Sequence, residues 1–79
     1  MNEADTADSA ALRAFAVLEH IAAASKAPTL EDVTRAIGIP KPTVFRILRV
    51  LADGGLVQRE LHEKRYVVGQ RAAPFALNV

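Results

Sequence analysis

The chain of 79 residues contains no cysteine, no long hydrophobic run and almost no net charge, which is +1. The lack of cysteine excludes thiol catalysis, disulfide bonds and cysteine-ligated zinc, and it fits a reducing cytosol. No apolar stretch approaches the ~20 residues that cross a bilayer. The first ten residues, MNEADTADSA, are too acidic and polar for a targeting segment. We therefore expect one small, soluble, cytoplasmic domain.

The sequence also lacks the residue sets that carry catalysis or bind metals. His20 and His62 lie far apart, and neither has an acid cluster or a third ligand at metal-site spacing. No nucleophile–base pair, glycine-rich phosphate loop or pair of carboxylates is visible, and Asp53 is better explained as a solvated or capping residue. We expect no enzyme activity, no metal and no cofactor.

Charge is distributed unevenly along the chain. Residues 1–32 contain six acids and two bases, whereas residues 33–79 contain eight bases and three acids. This asymmetry indicates a surface that faces a polyanion, although chance distribution over solvated faces would also produce it.

The first helix is predicted from Ser9, its N-cap, to about Ala24, after an unstructured tail over residues 1–8. Two apolar stripes follow its surface at helical spacing. The stripe expected to face the core consists of Leu12, Phe15, Leu18 and Ala22, and the second consists of Ala14, Val17, Ile21 and Ala24. Because one small domain rarely covers both, part of this helix should contact a partner or another segment.

Two further helices flank a glycine turn. Thr29 and Asp32 have the spacing of a capping box at the start of the second helix, whose inner face should contain Leu30, Val33, Ala36 and Ile37. Gly38 is suited to the left-handed residue that ends it. The third helix begins near Lys41 and ends at Gly54-Gly55, with a core seam of Val44, Ile47, Leu48 and Leu51.

A β-hairpin is predicted after the third helix. Residues 56–61 and 65–68 have the composition of two strands, with a tight turn at residues 62–64 and Tyr66 in the core. The fold class is therefore mainly α with a small β-hairpin, a winged helix-turn-helix over residues 9–69. Residues 70–79 are helix-prone and follow the wing.

The face of the third helix opposite its seam is the candidate DNA-reading surface. It presents Pro42, Arg46 and Arg49, flanked by Thr43 and Phe45, and Lys41 at the helix start is a candidate phosphate contact. Arg59, Lys64 and Arg65 lie on or beside the wing tip, where they can contact backbone or minor groove. The alternatives are a solvated helix face for the arginines and edge-strand charges that prevent aggregation for the wing.

Residues 30–48, LEDVTRAIGIPKPTVFRIL, resemble the amino-terminal domain of IclR-family regulators, as do residues 51–57 and 65–69. The resemblance extends over residues 11–69. Its most specific part is Gly-x-Pro-Lys-x-Thr-Val-x-Arg-x-Leu, from Gly38 to Leu48. It departs from the family at Pro42, where serine is frequent, so a hydroxyl contact to phosphate is absent.

The resemblance implies a bacterial transcription regulator that binds a roughly palindromic operator in double-stranded DNA as a homodimer. It implies that Pro42, Thr43, Phe45, Arg46 and Arg49 contact bases or phosphates, with Arg59 and Arg65 as wing contacts. The second stripe of the first helix, with Ala14, Val17 and Ile21, would then serve dimer contact. It further implies a linker helix starting in residues 70–79 and an effector-binding domain beyond Val79, where this chain ends.

A rival interpretation is a winged helix that binds another protein through its third helix, without specific DNA binding. Such a module should show apolar anchors on the face where this sequence has Lys41, Arg46 and Arg49.

Overall fold

The computed structural model describes residues 3–72 and 74, with the side chains of residues 9–72 and 74. Three helices precede a two-stranded antiparallel hairpin: α1 (Glu3–Ala23), α2 (Leu30–Ile37), α3 (Lys41–Asp53), β1 (Val57–Arg59) and β2 (Tyr66–Val68). The predicted winged helix-turn-helix is confirmed. Residues 70–72 form a turn, and most of the predicted linker helix lies outside the described residues.

The first helix begins earlier than predicted. Its first residue is Glu3 rather than Ser9, so the prediction of an unstructured tail is wrong for residues 3–8. This stretch contains three acids and two alanines, without glycine or proline. Alanine is the best helix former, and acids near a helix N-terminus interact favourably with the helix dipole. Local preference therefore extends the helix past the serine.

The two apolar stripes of α1 largely exchange the roles predicted for them, although Leu18 of the predicted core stripe is partly buried against the core. Val17 and Ile21 are buried in the core, with Ala14 packed beside them, whereas Leu12 and Phe15 are 68% and 57% exposed. The assignment of Ala14, Val17 and Ile21 to dimer contact is therefore wrong, because α2, α3 and β2 of the same chain cover this side of the helix. The stripes are adjacent and similarly apolar, so periodicity alone could not rank them.

The second helix has the ends that its sequence predicts. The backbone N–H of Asp32 donates to Oγ1 of Thr29 at 3.1 Å, and the N–H of Thr29 donates back to Oδ2 of Asp32 at 3.0 Å. Gly38 has a φ of 78°, and its N–H donates to the carbonyl of Thr34. This capping box and left-handed end confirm the predictions, although Ala36 is exposed rather than on the inner face.

The core lies between the three helices and the base of the wing. Val33 contributes from α2, and Val57 and Tyr66 contribute from the strands. From α3 come Val44, Leu48 and Leu51, with Ile47 partly buried beside them, as the predicted seam requires. The fixed seam of α3 determines which of its faces remains outward.

The wing is joined to the rest of the fold on two sides. Val57 pairs with Val68 and Arg59 with Tyr66 in the hairpin. On the outer side of β2, Tyr66 donates its N–H to the carbonyl of Pro28 at 2.8 Å, and Thr29 forms an isolated bridge with Arg65. The connection between α1 and α2 thus acts as a third strand at one position, which the sequence did not predict.

The base of the wing crosses the end of α3 at close range. The N–H of Gly69 donates to the carbonyl of Leu56 at 2.8 Å, and the N–H of Arg71 donates to that of Gly55 at 3.1 Å. A Cβ on Gly69 would lie 2.3 Å from the carbonyl oxygen of Gly55, so glycine is required for the two backbones to approach.

Candidate nucleic-acid interface

The outer face of α3 carries the arginines that the sequence predicts for DNA contact. Pro42, Phe45, Arg46 and Arg49 are exposed, whereas Thr43 is partly buried at the edge of this face. Pro42, Arg46 and Arg49 lie opposite the buried seam, with the other two residues on its flanks, because a helix turns by about 100° per residue. The predicted outward placement of Arg46 and Arg49 is confirmed, which is the geometric requirement for a helix that enters a groove.

Among the described residues, the guanidinium groups of Arg46 and Arg49 have no protein partner. Within the part of the chain that the structure describes, the ion pairs are Arg35–Asp32 at 2.9 Å and Lys41–Glu31 at 2.6 Å. Asp53 lies one turn after Arg49, yet it forms no ion pair with it there. Arg46 and Arg49 are therefore available to an external anion without loss of an internal contact.

The start of α3 has no side-chain cap. Pro40 occupies the N-cap position, and its carbonyl accepts from the N–H groups of Thr43 and Val44. Pro42 lies in the first turn, where its missing N–H removes no helix hydrogen bond. Because proline has no side-chain oxygen, the helix start is not closed by the molecule itself.

Lys41, predicted as a phosphate contact, already has a carboxylate partner. Its Nζ donates to Oε1 of Glu31, a residue of the first turn of α2. The hydrogen bond from Lys41 lowers the pKa of the Glu31 carboxyl below its ordinary value, with a further contribution from the backbone. Both side chains remain more than half exposed. Lys41 is thus at the predicted place but is engaged.

The three predicted wing contacts separate into two kinds. Arg59 in β1 and Lys64 at the tip are exposed, and Lys64 has a positive φ of 56°. Arg65 is partly buried, and its Nη1 donates to the carbonyl of Ala27 at 2.6 Å. Arg65 therefore joins the wing to the connection before α2, and the cations that the wing presents outward are Arg59 and Lys64.

The left-handed backbone of Lys64 is notable because L-residues with side chains rarely adopt it. The tip that it completes extends over residues 61–64, where Lys64 donates its N–H to the carbonyl of Glu60 and Glu60 donates to that of Arg65. Leu61, Glu60 and Glu63 are also exposed at this tip. The wing tip is therefore mixed in charge and carries one exposed leucine.

Sequence reasoning missed one apolar residue of the same interface. Val50 is 64% exposed on α3 and joins the predicted Phe45, which is 45% exposed, so apolar side chains lie beside the arginines. The helical spacing of Val50 from Arg46 could have indicated this, since residues four apart share a face. The face offers both charged and apolar contacts.

Neither a metal site nor a membrane span accompanies this face. In the described residues, no group of three or more histidine, cysteine or acidic side chains is placed to hold a metal ion. Over the same part of the chain, no helix has the length and hydropathy needed to cross a membrane.

Comparison with known proteins gives a consistent result. Residues 10–68 match the model of the IclR helix-turn-helix domain. The chain is 39% identical over 72 residues to the probable transcriptional regulator SauR of Cupriavidus necator. The aligned residues make up 91% of this chain and 29% of that regulator.

Solved structures share the fold. HmgR of Pseudomonas aeruginosa superposes with a TM-score of 0.78 at 25% identity, over 86% of this chain and 28% of its own. The IclR transcriptional regulator of Alicyclobacillus acidocaldarius gives the same TM-score and identity, over 85% and 27%. The chain thus spans less than a third of the length of these relatives.

Proposed function

The chain belongs to the IclR family of helix-turn-helix domains, and on that premise we propose that it binds double-stranded DNA in a sequence-specific manner. It would do so as the DNA-binding part of a cytoplasmic bacterial transcription regulator. The observation that supports this most directly is the pair Arg46 and Arg49, which are exposed on the outer face of α3 and form no ion pair with any described residue. No catalytic role is proposed.

The recognition helix of this proposal is α3. A major groove about 12 Å wide admits one helix, and side chains of its first turns reach base edges. Arginine donates two parallel hydrogen bonds to the O6 and N7 atoms of guanine, so Arg46 and Arg49 are proposed as base readers. Thr43 and Phe45 suit thymine methyl groups, and the uncapped start of α3, with Pro42, would face a phosphate.

The wing supplies the second proposed contact. Arg59 and Lys64 are exposed cations on the hairpin, which is narrow enough to lie along the backbone or the minor groove. Arg65 is not included as a direct contact, because its guanidinium donates to the carbonyl of Ala27. Its proposed contribution is to hold the wing in place beside α3.

We also propose that the full-length regulator is a homodimer on a roughly palindromic operator. Two-fold symmetric proteins place their recognition helices in successive major grooves about 34 Å apart. Leu12 and Phe15, which α1 leaves exposed, are the apolar side chains available to a second copy in place of the buried Val17 and Ile21. Effector binding, if the regulator has it, would belong to a part of the protein beyond this domain.

The alternative of a protein-docking module gains some support from Phe45 and Val50, which provide apolar area on the same face. Salt dependence separates the two functions. A protein that neutralises Z phosphates shows a slope of log affinity on log salt of about −0.9Z, which for ~6–10 contacts is very steep. A flat response on labelled duplexes would favour protein docking.

Substitution of Arg46 tests the base-reading role. Operator duplexes are first selected from a random library with the wild-type chain. Arg46→Ala should weaken binding to them by ~1–3 kcal/mol and relax the preference at one base position. Arg46→Lys should keep the salt slope but lose the same preference, because lysine cannot donate the bidentate pair.

Arg13→Ala is the matched control, since Arg13 is an exposed arginine of α1. It removes the same charge and should leave base preference unchanged. If Arg46→Ala weakens binding to all duplexes equally, Arg46 contacts phosphate and does not read a base. If no duplex is retained at low salt, DNA binding itself is wrong.

A further inference from the structure

We propose that Glu31 attenuates the sequence-independent DNA affinity of this domain by occupying Lys41 at the start of the recognition helix. The proposal rests on the DNA-binding function proposed above. It assigns a role in binding to an acidic residue of α2, on the helix that precedes the recognition helix. The geometry that supports it is the contact between the first turns of two successive helices.

The ion pair lies where a phosphate contact is expected. Nζ of Lys41, the first residue of α3, is 2.6 Å from Oε1 of Glu31, ten residues earlier in the chain. The two side chains are 53% and 63% exposed, so a phosphate can approach either. Glu31 is therefore positioned to compete with phosphate for the same ammonium group.

Glu31 is not a member of the capping box of α2. The neighbouring Asp32 closes the capping box with Thr29 and also contacts Arg35. Among the side chains of the described residues, the hydrogen-bond partner of Glu31 is Lys41; the backbone of Glu31 itself contributes as well. A lysine at the first residue of a helix is disfavoured by the helix dipole, and a carboxylate beside it offsets this repulsion.

Both groups of the pair are charged at neutral pH. The hydrogen bond with Lys41 lowers the pKa of Glu31 further below neutrality, so its carboxyl is ionised in the free protein. An exposed ion pair of this kind contributes little to stability, because water screens it and two side chains lose freedom. A phosphate can therefore displace Glu31, but it must do so beside a carboxylate of like charge.

Counterion release gives the size of the effect. A lysine that already has a carboxylate partner adds little to the number of phosphates neutralised, and removal of the carboxylate should add about one. The slope of log affinity on log salt would then steepen by ~0.9 per bound chain, which is about a threefold change in relative affinity between about 50 and 200 mM salt. The gain should be equal for all sequences, because phosphates carry no base information.

The experiment measures duplex affinity against salt for the wild-type chain, Glu31→Gln, Lys41→Gln and the double variant. An operator duplex and an unrelated duplex are used for each. Glu31→Gln should bind both duplexes more tightly than the wild-type chain, with the steeper slope, so that its advantage is about threefold larger at about 50 mM than at about 200 mM salt. Lys41→Gln should have little effect alone, yet it should abolish the gain when combined with Glu31→Gln.

Glu19→Gln is the matched control, because Glu19 is an exposed carboxylate of α1 and its loss changes the net charge equally. Thermal unfolding of each variant checks that the fold is retained, and Lys41→Gln tests the same pair from the other side. If the ion pair of Glu31 and Lys41 only holds the two helices together, Glu31→Gln would not change the slope of log affinity on log salt.

Three results would overturn the proposal. If Glu31→Gln and Glu19→Gln change affinity and salt slope equally, net charge alone acts. If Lys41→Gln weakens binding of the wild-type chain as much as it weakens binding of the Glu31→Gln variant, Lys41 contacts phosphate despite the ion pair. Failure of every variant and of the wild-type chain to bind duplex at low salt would remove the proposed function together with this inference.

Discussion

Replacement of Gly69 by alanine tests the close crossing of the wing base and the end of α3. The added Cβ would lie 2.3 Å from the carbonyl oxygen of Gly55, 2.9 Å from its carbonyl carbon and 3.0 Å from that of Leu56. All three atoms belong to the backbone, so no side-chain rotation relieves the overlap. The two segments must separate by about 1 Å to reach ordinary contact distances.

The expected loss follows from what that separation disturbs. Overpacking of a tight site destabilises by about 1–3 kcal/mol. The hydrogen bond from Gly69 to Leu56, at 2.8 Å, and that from Arg71 to Gly55, at 3.1 Å, would also be stretched. Leaving a buried backbone group without a partner costs about 1–3 kcal/mol. A total of about 2–6 kcal/mol is a large part of the ~4–12 kcal/mol expected for a domain of this size.

Urea unfolding, followed by circular dichroism, measures this loss. The dependence of the free energy of unfolding on urea concentration should be the same for the variant and the wild-type chain. A destabilisation of about 3 kcal/mol corresponds to a fall in Tm of roughly 12–24 °C for so small a domain. The melting temperature of each variant provides the second readout.

Gly54→Ala is the matched control, fifteen residues earlier. Its Cβ would meet the carbonyl oxygens of Val50 and Leu51 at 3.5 and 3.7 Å, and its φ of −82° suits any residue. We expect it to be neutral or to stabilise by about 0.4–1 kcal/mol, since alanine restricts the unfolded chain. If Gly69→Ala is as stable as Gly54→Ala, the crossing is not close and the reasoning is wrong.

Two further predictions concern α1 and the acids of α2. Ile21→Ala should lower the free energy of unfolding by about 2–5 kcal/mol, whereas Leu12→Ala should change it by no more than about 0.5 kcal/mol in the isolated chain. The difference is expected because the two residues are 5% and 68% exposed. Equal losses in urea unfolding would contradict the assignment of the stripes. Hydrogen bonds from Lys41 to Glu31, and from Thr29 to Asp32, lower the pKa of each carboxyl below its ordinary value of 4.5 or 3.8. Their contribution to stability is therefore complete above those values and is lost as the pH falls through the lower folded-state pKa. The free energy of unfolding, measured from pH about 6 to 2, should decline less steeply for the double variant Glu31→Gln, Asp32→Asn than for the wild-type chain. An unchanged decline would refute this.

Local chemistry made much of the fold predictable. The capping box of Thr29 and Asp32 and the left-handed Gly38 depend on residues within a few positions of each other, so their spacing in the sequence specifies them. The outer face of α3 was predictable for a similar reason. Its seam is regular and continuous, which leaves one orientation for Arg46 and Arg49.

Features that depend on distant residues were not predictable. Lys41 meets Glu31 from another helix, and Arg65 meets a carbonyl 38 residues away, so neither contact leaves a periodic signal. The bridge of Thr29 and Arg65 involves one pair of residues, too few for a strand pattern. On α1, the stripe that faces inward is decided by how the other elements pack, which the helix does not encode on its own.

The hydrogen bond from Tyr66 to Pro28 has a consequence for the order of folding. Strands of three residues are too short to persist as an isolated ribbon, and this contact closes a loop of almost forty residues, with the entropy loss that such closure entails. The wing should therefore be completed only after α2 and α3, which lie within this loop, have packed together. A nucleic acid that holds the wing would then stabilise the last stage of folding, so that recognition and final assembly are thermodynamically linked.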